Sequence, residues 1–186
     1  MDTSNKPVVV ETLKDNQTDF ALLTVVPPNL DVEQIELLPN YSFLVCNTEI
    51  WDQYDQNLMQ ILNKYPFLLR EEGSATRFIS ERFLEKNKVR PTKKIEFTSN
   101  EALKQAILAG MGISILPLVG MKDQIKDGSL KIIPINDLPT VATWRLVWLK
   151  NKSLTPAARA FLAYLSEEKV NIQNKYFDWM HIYLPH

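Results

Sequence analysis

Apolar residues recur with two different periods along this chain, and the change from one period to the other predicts an α/β protein. The clearest block is IEFTSNEALKQAILAGMGISILP, residues 95–117. A short run of strand-forming residues at 95–98 predicts a strand, the three-and-four spacing from Ala102 predicts a helix with one buried face, and the apolar run 113–116 predicts a buried strand. Gly110 and Gly112 end the helix, because glycine readily adopts the left-handed conformation at a helix C-terminus. A helix that crosses between two such strands is the unit of a parallel, doubly wound sheet.

Two predicted helices begin directly after predicted strands. Ser99 and Asn100 are N-cap candidates after the strand 95–98, and Ser74 is the predicted N-cap of a helix that follows the strand 67–69. Helix N-termini lie at the carboxyl edge of such a sheet, where unpaired amides favour anions. We therefore predict that the residues at this edge contact a ligand: Arg70, Glu71, Gly73, Ser74, Ala75, Thr76, Thr98, Ser99 and Asn100.

A second interpretation of the stretch after residue 69 stays open. Ser74 would then simply cap its helix, and the two arginines, Arg70 and Arg77, would pair with Glu71, Glu72 or Glu81 instead of with a ligand.

The remaining segments follow the same two periods. Strands are expected at 20–26, 41–46, 130–135 and 144–149, with a connection at 29–40 and one short helix within 48–64. Three longer helices are expected: one from Pro7, one after Ser74, and one that begins at Thr155-Pro156 and reaches its solvated end at 167–169. Their expected buried residues are, in turn, Val8, Val9, Thr12 and Leu13; Phe78, Ile79, Phe83 and Leu84; and Ala157, Ala158, Phe161, Leu162 and Leu165.

Three strings resemble the effector-binding domain of LysR-type transcriptional regulators, close to the branch that controls carbon metabolism. They are TSNEALKQAILAGMGISILP at 98–117, YPFLLREEGSATR at 65–77 and DGSLKIIPINDLPTVATWRLVWLKNKSLTPAARAFLAYL at 127–165. The resemblance extends over nearly all of the chain and keeps the order and spacing of the family.

The resemblance implies an α/β, two-lobed, periplasmic-binding-protein-like (type 2) fold with mixed, mainly parallel sheets. Lobe I would comprise 1–46 plus 140–186, and lobe II would comprise 47–139. Lobe I is expected to lack the family's first strand and helix, so we expect exposed apolar surface and association of the chain.

The resemblance also implies an effector-binding domain that senses a small anionic metabolite between the lobes. In the family the polar turn that corresponds to Thr3, Ser4 and Asn5 lies at the mouth of that cleft. The implied partners are the metabolite, a second copy in a homo-oligomer, and DNA only through a winged helix-turn-helix domain that is missing here. The alternative is a solute-binding module without a transcriptional role, and the lack of a secretion signal argues against it.

Composition and charge argue against several classes of partner and site. The 186 residues carry a net charge of −1, so bulk electrostatics indicate no polyanion partner. Cys46 has no second cysteine for a disulfide and is expected to be a buried, inert thiol. We expect a cytoplasmic protein with no membrane segment, cofactor or metal site. We also expect no enzyme activity, because His181 and His186 lie in the C-terminal tail, away from the expected cleft.

Overall fold

The computed structural model describes residues 6–184. The helices are α1 Lys6–Lys14, α2 Thr48–Trp51, α3 Leu58–Lys64, α4 Ala75–Lys86, α5 Asn100–Leu108, α6 Lys122–Lys126 and α7 Pro156–Phe177. The strands are β1 Ala21–Leu23, β2 Val32–Asn47, β3 Phe67–Arg70, β4 Lys94–Phe97, β5 Ser114–Pro117, β6 Leu130–Ile132 and β7 Thr140–Leu149. Short 3₁₀ segments follow β5 (Leu118–Met121) and α7 (Asp178–Tyr183).

The chain divides into two compact units. Unit 1 is built from the two ends of the chain, up to Asn40 and from Ala142 onward, and unit 2 is the contiguous stretch Tyr41–Val141. The strands β2 and β7 each contain one of these boundaries. The lobe limits expected from the sequence, 1–46 with 140–186 and 47–139, stay a prediction.

Unit 1 is organised on β7. β1 pairs antiparallel with β7, and β7 lies between β1 and β2 in the sheet. The helix α1 covers one face of this sheet, where Leu13 and Val147 are fully buried in a common apolar cluster. On α7, the Phe161 ring lies 5.7 Å from the Phe20 ring.

Unit 2 contains parallel and antiparallel pairs. β3 and β4 are parallel, and Ile113, directly before β5, forms a parallel bridge to Phe67. β5 and β6 both pair antiparallel with the second half of β2. The core of the unit is a cluster in which Leu44, Phe67 and Ile113 are completely buried. The sheets are therefore mixed, as expected. The expectation that they are mainly parallel does not hold for these strand pairs, since β1–β7, β2–β5 and β2–β6 are antiparallel and β3–β4 is parallel.

The β4–α5–β5 unit predicted from the sequence is present. The helix α5 ends at Leu108, and Gly110 follows it with a φ of +75°, in the region that favours glycine. Gly112 is required for a different reason, because a Cβ atom there would lie 2.2 Å from the carbonyl oxygen of Pro66. The return of the chain to the sheet thus depends on a close backbone approach.

Two predicted elements are wrong. The expected connection 29–40 is largely strand, since β2 begins at Val32 and continues through Pro39. Residues 32–39 of β2 do not show the regular apolar–polar alternation by which a strand is recognised in a sequence. Pairing with neighbouring strands makes this segment a strand instead. The single helix expected within 48–64 is two helices, α2 and α3, because the asparagines before them, Asn47 and Asn57, each cap a separate start.

Several buried faces were also assigned wrongly. Val8, Phe78, Ala157 and Phe161 are exposed. On α4 the burial expected for Phe83 and Leu84 is confirmed. The same face also carries the small polar residues Thr76 and Ser80, which the apolar pattern does not reveal. The helix α7 continues to Phe177, well beyond its expected end, and Ala158 is its buried residue.

Cys46 is a free, fully buried thiol. Burial raises the pKa of this thiol to about 12, so it stays protonated at neutral pH and is a poor nucleophile. Among residues 6–184 no helix has the length and apolarity that a membrane crossing requires.

Candidate functional site

The turn between β3 and α4 exposes an incompletely capped helix start. Ser74 has the extended conformation of an N-cap residue, but its hydroxyl makes no capping hydrogen bond. The side chains of Ser74 and Thr76 are nonetheless mostly buried, with relative exposures of 8% and 6%. Gly73 precedes them with a φ of +84°, which permits the tight turn before Ala75. The first amides of α4 have no intrahelical partner, so this tip offers hydrogen-bond donors and hydroxyls together.

The start of α5 is capped by the protein itself. The Ser99 hydroxyl accepts a hydrogen bond from the amide of Ala102 at 3.0 Å. Thr98 and Ser99 are exposed, and Asn100 is half-buried. The Ser99 side chain therefore satisfies one amide of α5, and the amides of the first residues of this helix remain available.

The two helix starts lie next to each other. β3 and β4 are parallel, with Arg70 opposite Phe97 at their carboxyl ends, and the amide of Glu71 donates to the carbonyl of Phe97 at 3.0 Å. The Arg70 side chain spans the short gap, since its Nη1 donates to Oδ1 of Asn100 at 2.7 Å. The tips of α4 and α5 thus share one edge of the parallel pair, within unit 2.

Both arginines of this edge are paired with carboxylates. Arg70 forms a two-pronged ion pair with Glu71, with distances of 2.6 Å and 2.7 Å. Arg77 contacts Glu81 at 2.8 Å and Glu96 at 2.5 Å. This is the arrangement of the alternative interpretation above, in which the arginines have protein partners.

The positive charges of Arg70 and Arg77 are therefore each compensated by at least one carboxylate. The hydrogen bond from Arg70 holds the pKa of Glu71 below its ordinary value, so Glu71 is ionised at neutral pH. Ion pairing with Glu81 and Glu96 raises the pKa of Arg77. Two guanidinium groups face the carboxylates of Glu71, Glu72, Glu81 and Glu96. Attraction for an anion must therefore come from amides and neutral side chains.

Glu96 is a residue of this edge that the sequence interpretation missed. It lies on β4, two positions before Thr98, and its carboxylate contacts Arg77 on α4. No signal within its own segment reveals this contact, because only the parallel register of the folded sheet places Glu96 opposite Leu69 and hence beside the start of α4.

Three of the sequence-based candidates are not described by the structure. Thr3, Ser4 and Asn5 lie outside the described residues. Within 6–184 there is no group of histidine, cysteine, aspartate or glutamate side chains that could hold a metal ion.

Comparison with protein families gives a match to the LysR substrate binding domain over residues 1–169. The HTH-type transcriptional activator CmpR of Synechocystis sp. PCC 6803 is 31% identical over 172 residues, which is 90% of this chain and 56% of CmpR. The RuBisCO operon transcriptional regulator of Acidithiobacillus ferrooxidans is 30% identical over 91% of this chain and 55% of its own length. The chain spans about half the length of these relatives.

A solved structure agrees with these sequence matches. The CcmR regulatory domain of Synechocystis PCC6803, determined in complex with 2-PG, superposes with a TM-score of 0.76 at 26% identity. The superposition covers 91% of this chain and 82% of that domain. The predicted periplasmic-binding-protein-like type 2 fold is confirmed by this similarity.

Proposed function

Because the chain belongs to the LysR substrate-binding-domain family, we propose that it binds a small anionic metabolite and acts as the effector-sensing part of a transcriptional regulator. The observation that carries the proposal is the pair of helix N-termini at one edge of the β3–β4 pair, with the mostly buried residues Ser74 and Thr76 at the tip of α4. The Ser74 hydroxyl makes no capping hydrogen bond, so this mostly buried residue leaves a hydroxyl free to bond a ligand or water.

The anionic character of the ligand follows from the donors. Aligned amides at a helix N-terminus carry a partial positive charge and point their N–H groups outward. The nearby carboxylates oppose an anion, but Glu72, Glu81 and Glu96 have exposed side chains, and solvent and salt screen them. Direct hydrogen bonds from amides are screened much less.

The wider role is inferred from the relatives. CmpR is a transcriptional activator, and the CcmR domain was solved with 2-PG. We infer that ligand binding here shifts the protein between two arrangements through a difference in affinity, and that the shift is passed to DNA through a part of the protein outside this chain. A homo-oligomer in the cytoplasm is the proposed working form, and catalysis is not proposed, since the matched relatives are regulators.

The test is a binding titration with 2-PG and inorganic phosphate as probes, monitored by thermal shift and by calorimetry. We expect saturable binding by the unsubstituted chain, and a two- to tenfold loss of affinity in Ser74→Ala and in Thr76→Val, as removal of one neutral hydrogen bond predicts.

The matched control is Ser80→Ala. Ser80 is also buried on α4 and also has an unpartnered hydroxyl, but it lies within the helix instead of at its start. Binding should be unchanged in this variant. Absence of saturable binding by either probe, or equal losses in all three variants, would contradict the proposed site.

A further inference from the structure

The Arg70 side chain joins the two helix starts, and we propose that it is a positioning residue for the ligand site. It holds the carboxamide of Asn100 so that the Nδ2 group of Asn100 donates to the ligand, while Arg70 itself does not contact the ligand. This proposal rests on the proposed function, and it names the group through which the start of α5 recognises its ligand.

The direction of the Asn100 carboxamide is determined by Arg70. A guanidinium is only a donor, so the Asn100 atom that it contacts at 2.7 Å must be the oxygen. The Nδ2 atom, with two N–H donors, is then on the other side of the carboxamide. Among the described residues Nδ2 has no hydrogen-bond partner. A ligand acceptor that approaches this edge would therefore meet a fixed neutral donor.

Glu71 keeps Arg70 in place. The planar guanidinium matches a carboxylate with two parallel hydrogen bonds, and the pair is largely shielded, with side-chain exposures of 14% for Arg70 and 19% for Glu71. The carbonyl of Arg70 also accepts a hydrogen bond from Arg77 at 3.1 Å. These contacts fix both the backbone and the side chain of Arg70 at the end of β3.

The same contacts make Arg70 a poor primary anion ligand. They take three of its five N–H groups, since Glu71 accepts from Nε and Nη2 and Asn100 accepts from Nη1, and the Glu71 carboxylate compensates its charge. A ligand that took over the guanidinium would have to displace a two-pronged, partly buried ion pair and leave Glu71 without its partner, which is costly. Arg70 acts on the ligand only through Asn100.

A mutant cycle on ligand affinity tests this mechanism, with 2-PG and inorganic phosphate as probes. The first variant is Asn100→Leu, which has nearly the same shape as asparagine without its polar atoms. The second is the double variant Arg70→Gln/Glu71→Gln, which removes the Arg70–Glu71 ion pair that holds Asn100 (the brace) without leaving one charge unpaired. The third variant combines the two. The matched control is Arg90→Gln, since Arg90 is an exposed arginine of the same unit.

If Arg70 acts through Asn100, we expect about a five- to tenfold loss of affinity in Asn100→Leu and no additional loss when the brace is also removed. Arg90→Gln should bind like the unsubstituted chain. Multiplicative losses would mean that Arg70 contacts the ligand itself, and unchanged affinity in Asn100→Leu would mean that its carboxamide does not donate. Either result overturns the proposal.

A ligand-free measurement separates this proposal from the proposed function. In ¹⁵N-edited NMR spectra, the side-chain amide signal of Asn100 should move in Arg70→Gln/Glu71→Gln and stay in place in Arg90→Gln. If it does not move, the brace is wrong whatever binds. If it moves but the unsubstituted chain binds neither probe, the brace is supported and the proposed function fails for those anions.

Discussion

Ser74 and Ser99 occupy the same position before α4 and α5, yet only Ser99 caps its helix. The Ser99 hydroxyl accepts from the amide of Ala102, whereas the Ser74 hydroxyl makes no such bond. We therefore expect Ser99→Ala to lower the free energy of unfolding by about 1 kcal/mol and Ser74→Ala to lower it clearly less. Urea denaturation of the two variants checks this, and equal losses would contradict the difference in capping.

The ion pair of Glu71 with Arg70 predicts a dependence of stability on pH. The folded-state pKa of Glu71 lies below its ordinary value of 4.5, so the ionised carboxylate stabilises the fold above pH 4.5. This contribution is lost as the pH falls through the lower, folded-state pKa. Glu71→Gln should therefore be less stable than the unsubstituted chain by about 1–2 kcal/mol at pH 7, and the difference should shrink as the pH falls below 4.5.

The control for this pH dependence is Glu72→Gln. The Glu72 side chain is 91% exposed and lies 3.9 Å from Arg77, so its contribution should be small at any pH. Urea denaturation of both variants at several pH values is the measurement. A difference for Glu71→Gln that stays constant as the pH falls from 7 to well below 4.5 would show that the ion pair does not stabilise the fold.

At the residue scale, local chemistry could be predicted and distant pairing could not. The caps at Ser99 and Thr155 and the helix end before Gly110 follow from short-range backbone geometry, and all three are present. The contact of Arg70 with Asn100 joins residues that are 30 positions apart. Only the parallel register of β3 and β4 brings them together, and the register is not written in either segment alone.

At the scale of elements, α4 shows where the apolar pattern misleads. Phe78 and Phe83 were both expected to face inward, but Phe78 is 56% exposed and Phe83 is 4% exposed. The buried positions Thr76 and Ser80 lie one turn apart and bring the helix close to the sheet through small side chains. A polar residue on a buried face carries no periodic signal, so the orientation of α4 could not be read from the sequence.

The orientation of α4 predicts unequal effects for its two phenylalanines. Phe83→Ala should lower the free energy of unfolding by about 3–5 kcal/mol, because it leaves a cavity in the core of unit 2. Phe78→Ala removes an exposed ring that lies 5.6 Å, centroid to Cζ, from Arg82, and should cost less than about 1 kcal/mol. Chemical denaturation distinguishes the two, and a larger loss for Phe78→Ala would contradict the orientation.

The strand β2 illustrates a different limit. Its second half is a largely buried run that the sequence predicted correctly, whereas its first half mixes half-buried and exposed residues and contains Pro39. A proline disfavours a central strand, since it lacks the amide that donates to a neighbour. The strand forms there because its neighbours in the sheet supply the remaining pairing.

At the scale of the whole molecule, the fold and the family could be predicted, because three local strings with fixed spacing carry them. The occupant of the site could not be predicted, since neutral hydrogen-bond donors at helix starts bind many small anions. Within unit 1, several large apolar side chains are exposed: Leu22, Val25, Phe161, Tyr164 and Val170. Apolar surface of this kind favours association.

We accordingly expect the purified chain to associate with further copies of itself as its concentration rises. Phe161→Gln/Tyr164→Gln should lower the mean mass in light scattering, because both side chains are exposed on one face of α7. Phe78→Gln, an equally exposed aromatic of unit 2, is the control. A monomer at every concentration would contradict this expectation.

The most direct test of the account is an NMR titration of the ¹⁵N-labelled chain with 2-PG and with inorganic phosphate. The account predicts saturable chemical-shift changes that are largest at the backbone amides of residues 74–77 and 99–101, the two helix starts at the edge of the β3–β4 pair. Saturable changes centred elsewhere in the chain, with these amides unmoved, would contradict it.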